Sequence, residues 1–305
     1  MTRLALTLMW LLHWLPLPPL AALGRTFGRL LFRFGHERRH VALTNLGLCF
    51  GSGVTPASGH EPSSQLRCPG MSVAEKSVLA RRHFEAFGRS FLERGLLWWA
   101  SASRIRRLAR IEGLDRLDAL ADRPVILLVP HFVGLDMGWT RLTLELDMVS
   151  IYANQKNLLF NSALLLGRTR FGDSLLLSRQ EGTRPAIRAM KAGRPFYYLP
   201  DMDYGQRDTL FVPFFGVPAA TITGLSRLAR MSGAVVVPVV TRMEADDGYI
   251  VTVGEPWRDY PGESIEADTL RMNAFVEAEV LKMPEQYFWL HKRFKTRPPG
   301  EKAVY

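Results

Sequence analysis

The chain has 305 residues, 47% apolar and 22% charged, which excludes collagen, wholesale disorder and a polytopic membrane protein. Two cysteines exclude a disulfide scaffold, and no C-x-x-C pair offers a zinc ribbon. The net charge of +10 calls for a polyanion, and nucleic acid, an anionic membrane and an acidic protein all qualify. Residues 1–110 carry 16 Lys/Arg against 5 Asp/Glu, while the remainder carries 23 against 24. The excess therefore sits beside the most apolar stretch of the chain, which points to a membrane surface before a nucleic acid.

Leu4 to Leu23 form a run of 20 residues without Asp, Glu, Lys or Arg, just long enough to span a bilayer. Pro16, Pro18 and Pro19 interrupt it. A signal peptide and a buried core helix are the alternatives, but no clean small-x-small cleavage site follows and the next segment is strongly basic. The run reads as an uncleaved anchor, either spanning or lying in the interface as a kinked helix. Arg25, Arg29, Arg33, Arg38 and Arg39 follow it, so the positive-inside rule keeps the body cytoplasmic.

Residues 25–48 read as an amphipathic helix with Phe27, Leu30, Leu31 and Phe34 on one face. Gly51–Gly70 is a Gly/Ser/Pro-rich surface loop or insertion; its Cys68 could pair with Cys49, but a cytoplasmic location favours free thiols. A helical pattern returns from Val73 to Trp99. Three segments result: an anchor over 1–24, a basic helical region over 25–110, and a catalytic portion over 111–305 that packs with the second as one domain. The expected fold class is α/β, a central mixed sheet flanked by helices with an N-terminal membrane-anchoring helix.

Val125–Val129 (VILLV) is an uninterrupted, branched apolar run and reads as a buried strand. His131 follows it, and helical periodicity resumes with Met137, Trp139 and Leu142. His131 thus stands at the carboxyl end of a strand, the sheet edge where open α/β folds bind ligands. Asp136, one helical turn on, has the spacing to return to the imidazole, fix its tautomer and stabilise the imidazolium formed in proton abstraction. A structural His–Asp pair is the alternative. Ser226 in GLSRL fails the last glycine of a nucleophile elbow, and Gly172–Leu175 (GDSL) lacks its D-x-x-H partner. The nucleophile is then a substrate hydroxyl deprotonated by His131, or water in a thioesterase or lipid hydrolase. A non-catalytic, basic membrane-binding protein is the third class.

The H-x4-D segment His131–Asp136 (HFVGLD) resembles the signature of the glycerolipid-type acyltransferases. Asn45–Phe50 (NLGLCF), Gly167–Arg170 (GRTR), Asp201–Gly205 (DMDYG), Phe211–Gly216 (FVPFFG) and Pro284–Pro298 (PEQYFWLHKRFKTRP) narrow the resemblance. It is to the late, lauroyl/myristoyl acyltransferases of lipid A biosynthesis, over essentially the whole chain. Many of that family carry Glu where this chain has the shorter Asp136.

The resemblance implies transfer of an acyl chain from acyl carrier protein to the hydroxyl of an acyl chain on a lipid A precursor. It implies neither cofactor nor metal, an inner-membrane location, inner-membrane lipids as further partners, and a monomer that does not bind nucleic acid. A basic face suits an acidic carrier protein and a phosphorylated acceptor. An apolar channel for the acyl chain would gain roughly 0.8 kcal/mol for each buried CH₂.

On this reading His131 is the general base and Asp136 its orienting partner. Arg168 or Arg170 donates to the oxyanion or binds phosphate, with a solvated helix-end cation as the alternative. Asp201 and Asp203 follow a second predicted strand over 195–199 and position nearby groups rather than Mg²⁺. Asn45 contacts the acceptor or caps a helix, and Arg207 meets phosphate or forms a rim salt bridge. The aromatic and basic string from Tyr287 to Arg297 is expected at the membrane or substrate, with plain packing as the alternative.

Overall fold

The computed structural model describes residues 2–51, 70–244 and 248–305. The Gly51–Gly70 insertion, apart from its two end residues, and Cys68 within it lie outside the described residues, whereas Cys49 is buried. The chain divides into two compact units. The first comprises Met1–Gly24, Arg89–Leu199 and Leu228–Arg258; the second comprises Arg25–Gly88, Pro200–Arg227 and Asp259–Tyr305.

In chain order the strands are β1 (Ala109–Glu112), β2 (Val125–Leu128), β3 (Val149–Tyr152), β4 (Leu175–Ser178) and β5 (Phe196–Tyr198). β6 (Thr209–Phe214), β7 (Val217–Ile222), β8 (Val235–Met243) and β9 (Tyr249–Val253) follow. Among the described residues the first unit holds a seven-stranded sheet in the order β1-β9-β8-β2-β5-β3-β4. Every neighbouring pair is parallel except β8 and β9. This is the mixed sheet with flanking helices that the alternation of apolar runs and helical periodicity predicts.

β2 lies inside the sheet, with Ile126 in register with Phe196 of β5 on one side and Val236 of β8 on the other. All four of its residues are buried, as an uninterrupted apolar run requires when both faces are covered. Val125, Leu127 and Val129 share one face, two residues apart, and pack with Val235, Val237, Val239, Val251 and Val253. Trp139 and Leu142 of the Leu135–Leu142 helix close that core from above. The strand predicted over 195–199 is β5, and it pairs directly with β2.

The apolar N-terminal run is not one helix. Helices Thr2–Leu12 and Leu17–Phe34 are separated at His13–Pro16, because Pro16 has no N–H to continue the ladder. Arg104 donates to the carbonyls of His13 and Leu15, which the interruption leaves without helical partners. Among the described residues no helix is long and apolar enough to cross a membrane. Thr2–Leu12 has an exposed apolar side, carrying Leu4 (74% exposed), Leu8 and Leu11, with Trp10 and Trp14 (67%) beside it.

The helix predicted over 25–48 is also two, Leu17–Phe34 and His36–Cys49, with Gly35 between them. A Cβ on Gly35 would lie 2.6 Å from the Leu31 carbonyl oxygen. The pattern over 73–99 likewise breaks, at Glu93, into Val73–Leu92 and Arg94–Trp99.

In the second unit β6 and β7 form an antiparallel hairpin joined by Phe215 and Gly216. Both have positive φ, 50° and 73°, which a two-residue turn of this hand demands and which Phe215 adopts at a cost. Glu277 offsets that cost by accepting the Phe215 N–H at 2.8 Å. It projects from the Ile265–Lys282 helix, which Ser264 caps at its start and Pro284 follows at its end. The string from Tyr287 to Arg297 corrects an expectation. Tyr287, Trp289, Arg293 and Phe294 are buried, and Arg293 donates to the Ala220 carbonyl and to Thr221 Oγ1, both at 2.8 Å. Tyr287 packs on Phe214, and Trp289 on Phe50, so packing rather than membrane contact accounts for these aromatics.

Candidate active site

β2 ends at Leu128, and Pro130 and His131 follow. The Phe132 N–H turns back to the Pro130 carbonyl at 2.8 Å, Leu135 N–H to Phe132, and the Leu135–Leu142 helix begins. His131 is half-buried at this corner, and Asp136 stands in the first turn of the helix.

Two glycines let that helix lie close on the sheet. Gly134 and Gly138, one turn apart, both face Thr241 of β8. A Cβ on Gly138 would fall 2.1 Å from Thr241 Oγ1 and 3.2 Å from the Tyr197 hydroxyl. The Tyr197 hydroxyl donates to the Leu135 carbonyl at 2.8 Å, so β5 holds the start of the helix as well. Burial, and then the charge of Asp136, push the Tyr197 hydroxyl well above its ordinary range and keep it a donor.

Asp136 is a carboxylate between two guanidiniums. Its Oδ1 accepts Arg168 Nη2 at 2.5 Å, and its Oδ2 lies 3.8 Å from Arg94 Nη2. Burial opposes its ionisation, but Arg168, Arg94 and His131 together outweigh that and hold the carboxyl below its usual range. His131 is thus close enough to Asp136 to belong to one electrostatic cluster with it.

Arg168 ends the Leu158–Arg168 helix. Its carbonyl accepts Trp139 Nε1–H at 2.9 Å, and the preceding Gly167 lies against Trp98, where a Cβ would meet Cδ1 at 2.0 Å. A small cavity beside the carboxylate is lined on its polar side by Arg94, Asp136, Thr140 and Arg168, and on its apolar side by Leu97, Trp98 and Leu164.

Arg170 is engaged elsewhere. Its guanidinium donates to the carbonyls of Leu96 (3.4 Å) and Ala100 at the end of the Arg94–Trp99 helix, and stacks on Phe171 at 4.0 Å. Burial draws it down to about 10.

The remaining residues singled out in the sequence belong to the second unit. Asn45 donates to the carbonyls of Trp289 and His291, both at 2.8 Å, and accepts the Tyr305 hydroxyl. The Asp203 carboxylate accepts Gly205 N–H at 2.9 Å and both the backbone N–H and hydroxyl of Thr296, at 2.6 and 2.8 Å. The Asp203 N–H donates to His291 Nε2 at 3.0 Å. Asp201 is buried, with its carbonyl 3.4 Å from the Tyr287 hydroxyl. These contacts tie the Asn45–Phe50, Asp201–Gly205 and Pro284–Pro298 strings to one another. Arg207 is 96% exposed and lies 3.6 Å from Asp208.

His131, Asp136 and Arg168 therefore come together, while Arg170 supports a helix end. Sequence reasoning missed Arg94 and Trp139 as parts of the site. For Arg94 the available signal was Glu93-Arg94-Gly95 interrupting an apolar helical stretch.

The profile of the bacterial lipid A biosynthesis acyltransferase family matches residues 1–58 and 65–296. The lipid A biosynthesis lauroyltransferase of Escherichia coli (strain K12) is 35% identical, covering 100% of this chain and 94% of that protein. The palmitoleoyltransferase of the same pathway and organism is 32% identical with the same coverage. The lipid A biosynthesis myristoyltransferase of E. coli (strain K12) is 31% identical over 94% of this chain and 83% of its own length.

Proposed function

Because the chain belongs to the bacterial lipid A biosynthesis acyltransferase family and is an acyltransferase, we propose that His131 is its general base and Asp136 the partner that orients it. The donor in this reading is a fatty acyl thioester of acyl carrier protein. The acceptor is the hydroxyl of an acyl chain already on a lipid A precursor. The observation that carries the assignment is the ionised Asp136, clamped by Arg168 at 2.5 Å beside a histidine at the carboxyl end of β2.

His131 removes the proton from the acceptor hydroxyl, and the oxygen attacks the thioester carbonyl carbon. The tetrahedral oxyanion collapses with cleavage of the C–S bond, and the imidazolium returns its proton to the departing thiolate. Asp136 stabilises that imidazolium between the two proton transfers. Arg168 acts through Asp136, whose oxygen it occupies, and Arg170 acts by holding the Arg94–Trp99 helix. Arg207, exposed in the second unit, is assigned to the phosphates of the acceptor, as a guanidinium suits. Asn45, Asp201 and Asp203 serve the reaction by fixing the strings that surround them.

The protein works as a monomer on the cytoplasmic face of the inner membrane. The exposed Leu4, Leu8, Leu11, Trp10 and Trp14 lie in the interface plane. Mass spectrometry of lipid A from cells lacking and regaining the protein tests the function. The reading requires one acyl chain to disappear and return, its mass giving the donor length. Lipid A of unchanged mass, with free fatty acid released in a purified assay, would instead identify a thioesterase.

A further inference from the structure

Arg94 belongs to none of the motifs above, yet it faces the same carboxylate as Arg168. It opens the Arg94–Trp99 helix directly after Glu93, whose buried carboxylate accepts Arg89 Nε at 2.6 Å and the Tyr249 hydroxyl. Arg89 also donates to the Glu244 carbonyl at 2.9 Å, so the helix break is tied to the end of β8 and to β9. Gly95 sits so near the Thr2–Leu12 helix that a Cβ would lie 2.4 Å from the Met9 carbonyl oxygen. From this fixed origin the Arg94 guanidinium stacks over Phe91, 5.3 Å from the ring centroid, and reaches 3.8 Å from Asp136 Oδ2. That distance makes an ion pair but no hydrogen bond, so Arg94 acts by charge and leaves the lone pairs of Oδ2 to other donors.

We propose that Arg94 is a positioning residue that sets, through Asp136, how readily His131 takes up a proton. The proposal rests on the reading of His131 as general base. The groups facing Asp136 are Arg94, Arg168 of the Leu158–Arg168 helix, His131 from the loop after β2, and the Tyr197 hydroxyl of β5. Two guanidiniums against one carboxylate give the cluster a net positive charge before the imidazole protonates. Removing one guanidinium restores a one-to-one balance, so the imidazolium forms more readily and the acid limb of the rate profile moves to higher pH.

The test is kcat/KM against pH for the full chain in detergent, with acyl carrier protein thioester and a lipid A precursor. Arg94→Gln moves the acid limb up by about 0.5 to 1 pH unit, while Arg94→Lys, which keeps the charge, stays within about 0.2 unit of the parent. Phe91→Leu frees the guanidinium from its stack and gives a smaller shift of the same sign, which serves if Arg94→Gln fails to fold. An acid limb that does not move in Arg94→Gln overturns the proposal, whatever happens to the overall rate. So does an equal shift in Arg94→Lys. An inactive His131→Ala beside an unmoved Arg94→Gln limb removes only the role of Arg94. A fully active His131→Ala removes the base assignment and this proposal together.

Discussion

Trp139 and Arg168 close a loop between two helices. Trp139 Nε1 donates to the Arg168 carbonyl at 2.9 Å, and the Arg168 guanidinium returns to Asp136, three residues before Trp139 on the same helix. The backbone and the side chain of Arg168 are thus both referred to one helix, which fixes the Asp136 carboxylate against rotation. Trp139→Phe keeps the ring in the core but removes the donor. A lost hydrogen bond of this kind is worth about 1 to 1.5 kcal/mol, so kcat is expected to fall roughly tenfold with a smaller change in KM. Steady-state kinetics on folded protein checks this, and an unchanged kcat would show that the bond does not position the site.

The two arginines of the Gly167–Arg170 string are expected to separate by phenotype. Arg168→Ala leaves Asp136 without its short partner, and activity should drop about 100-fold or more at nearly unchanged melting temperature. Arg170→Ala exposes the carbonyls of Leu96 and Ala100 at a helix end, and should cost about 1 to 3 kcal/mol of stability. Its activity per folded molecule should fall less than tenfold. Thermal melts and kinetics on both variants decide the matter; equal phenotypes would remove the distinction.

Gly138→Ala places a methyl 2.1 Å from Thr241 Oγ1 and forces the Leu135–Leu142 helix away from β8. Overpacking of this kind costs about 1 to 3 kcal/mol, and activity should suffer more than stability because Asp136 rides on that helix. Adding Thr241→Ala removes the struck atom and should recover most of both losses. A double variant as impaired as Gly138→Ala alone would place the constraint elsewhere.

What the sequence displayed follows from the range of the forces involved. β2 and the helix after it were legible because an uninterrupted VILLV run and a 3.6-residue period are local patterns. His131 and Asp136 were legible because both lie within one turn of that strand end. Arg94 was not, since its meeting with Asp136 depends on the break at Glu93, which in turn depends on Tyr249 of a distant strand. The roles of Asn45 and Asp203 depend likewise on partners far along the chain, His291 and Thr296. In the 20-residue apolar run the break was legible at the prolines, whereas its partner Arg104 was not. Hydropathy counts residues, whereas Pro16 and the capture of two carbonyls by Arg104 decide how much of the run is one helix.

Glu277 predicts a pH dependence of stability. Burial pushes its carboxyl up to about 7, against an ordinary 4.5, with the Phe215 N–H and Arg293 only partly opposing. The fold then holds a proton that the unfolded chain has released, so this residue's contribution to stability declines as pH rises from about 4.5 to 7. Glu277→Gln retains an acceptor for the Phe215 N–H and removes the charge. Its stability should gain on the parent progressively across that window, by on the order of 3 kcal/mol at most, and its melting temperature should rise relative to the parent accordingly. Parallel melts at pH 5 and pH 8 check this, and a constant difference would contradict it.

The central claim is that His131 takes the proton from a lipid acceptor. Its most direct test is transfer of labelled acyl chain from carrier protein to a lipid A precursor by the parent and His131→Ala, at equal folded concentration. The parent is expected to label the lipid, and His131→Ala is expected to give no label above background. Transfer by His131→Ala at the parental rate would contradict it.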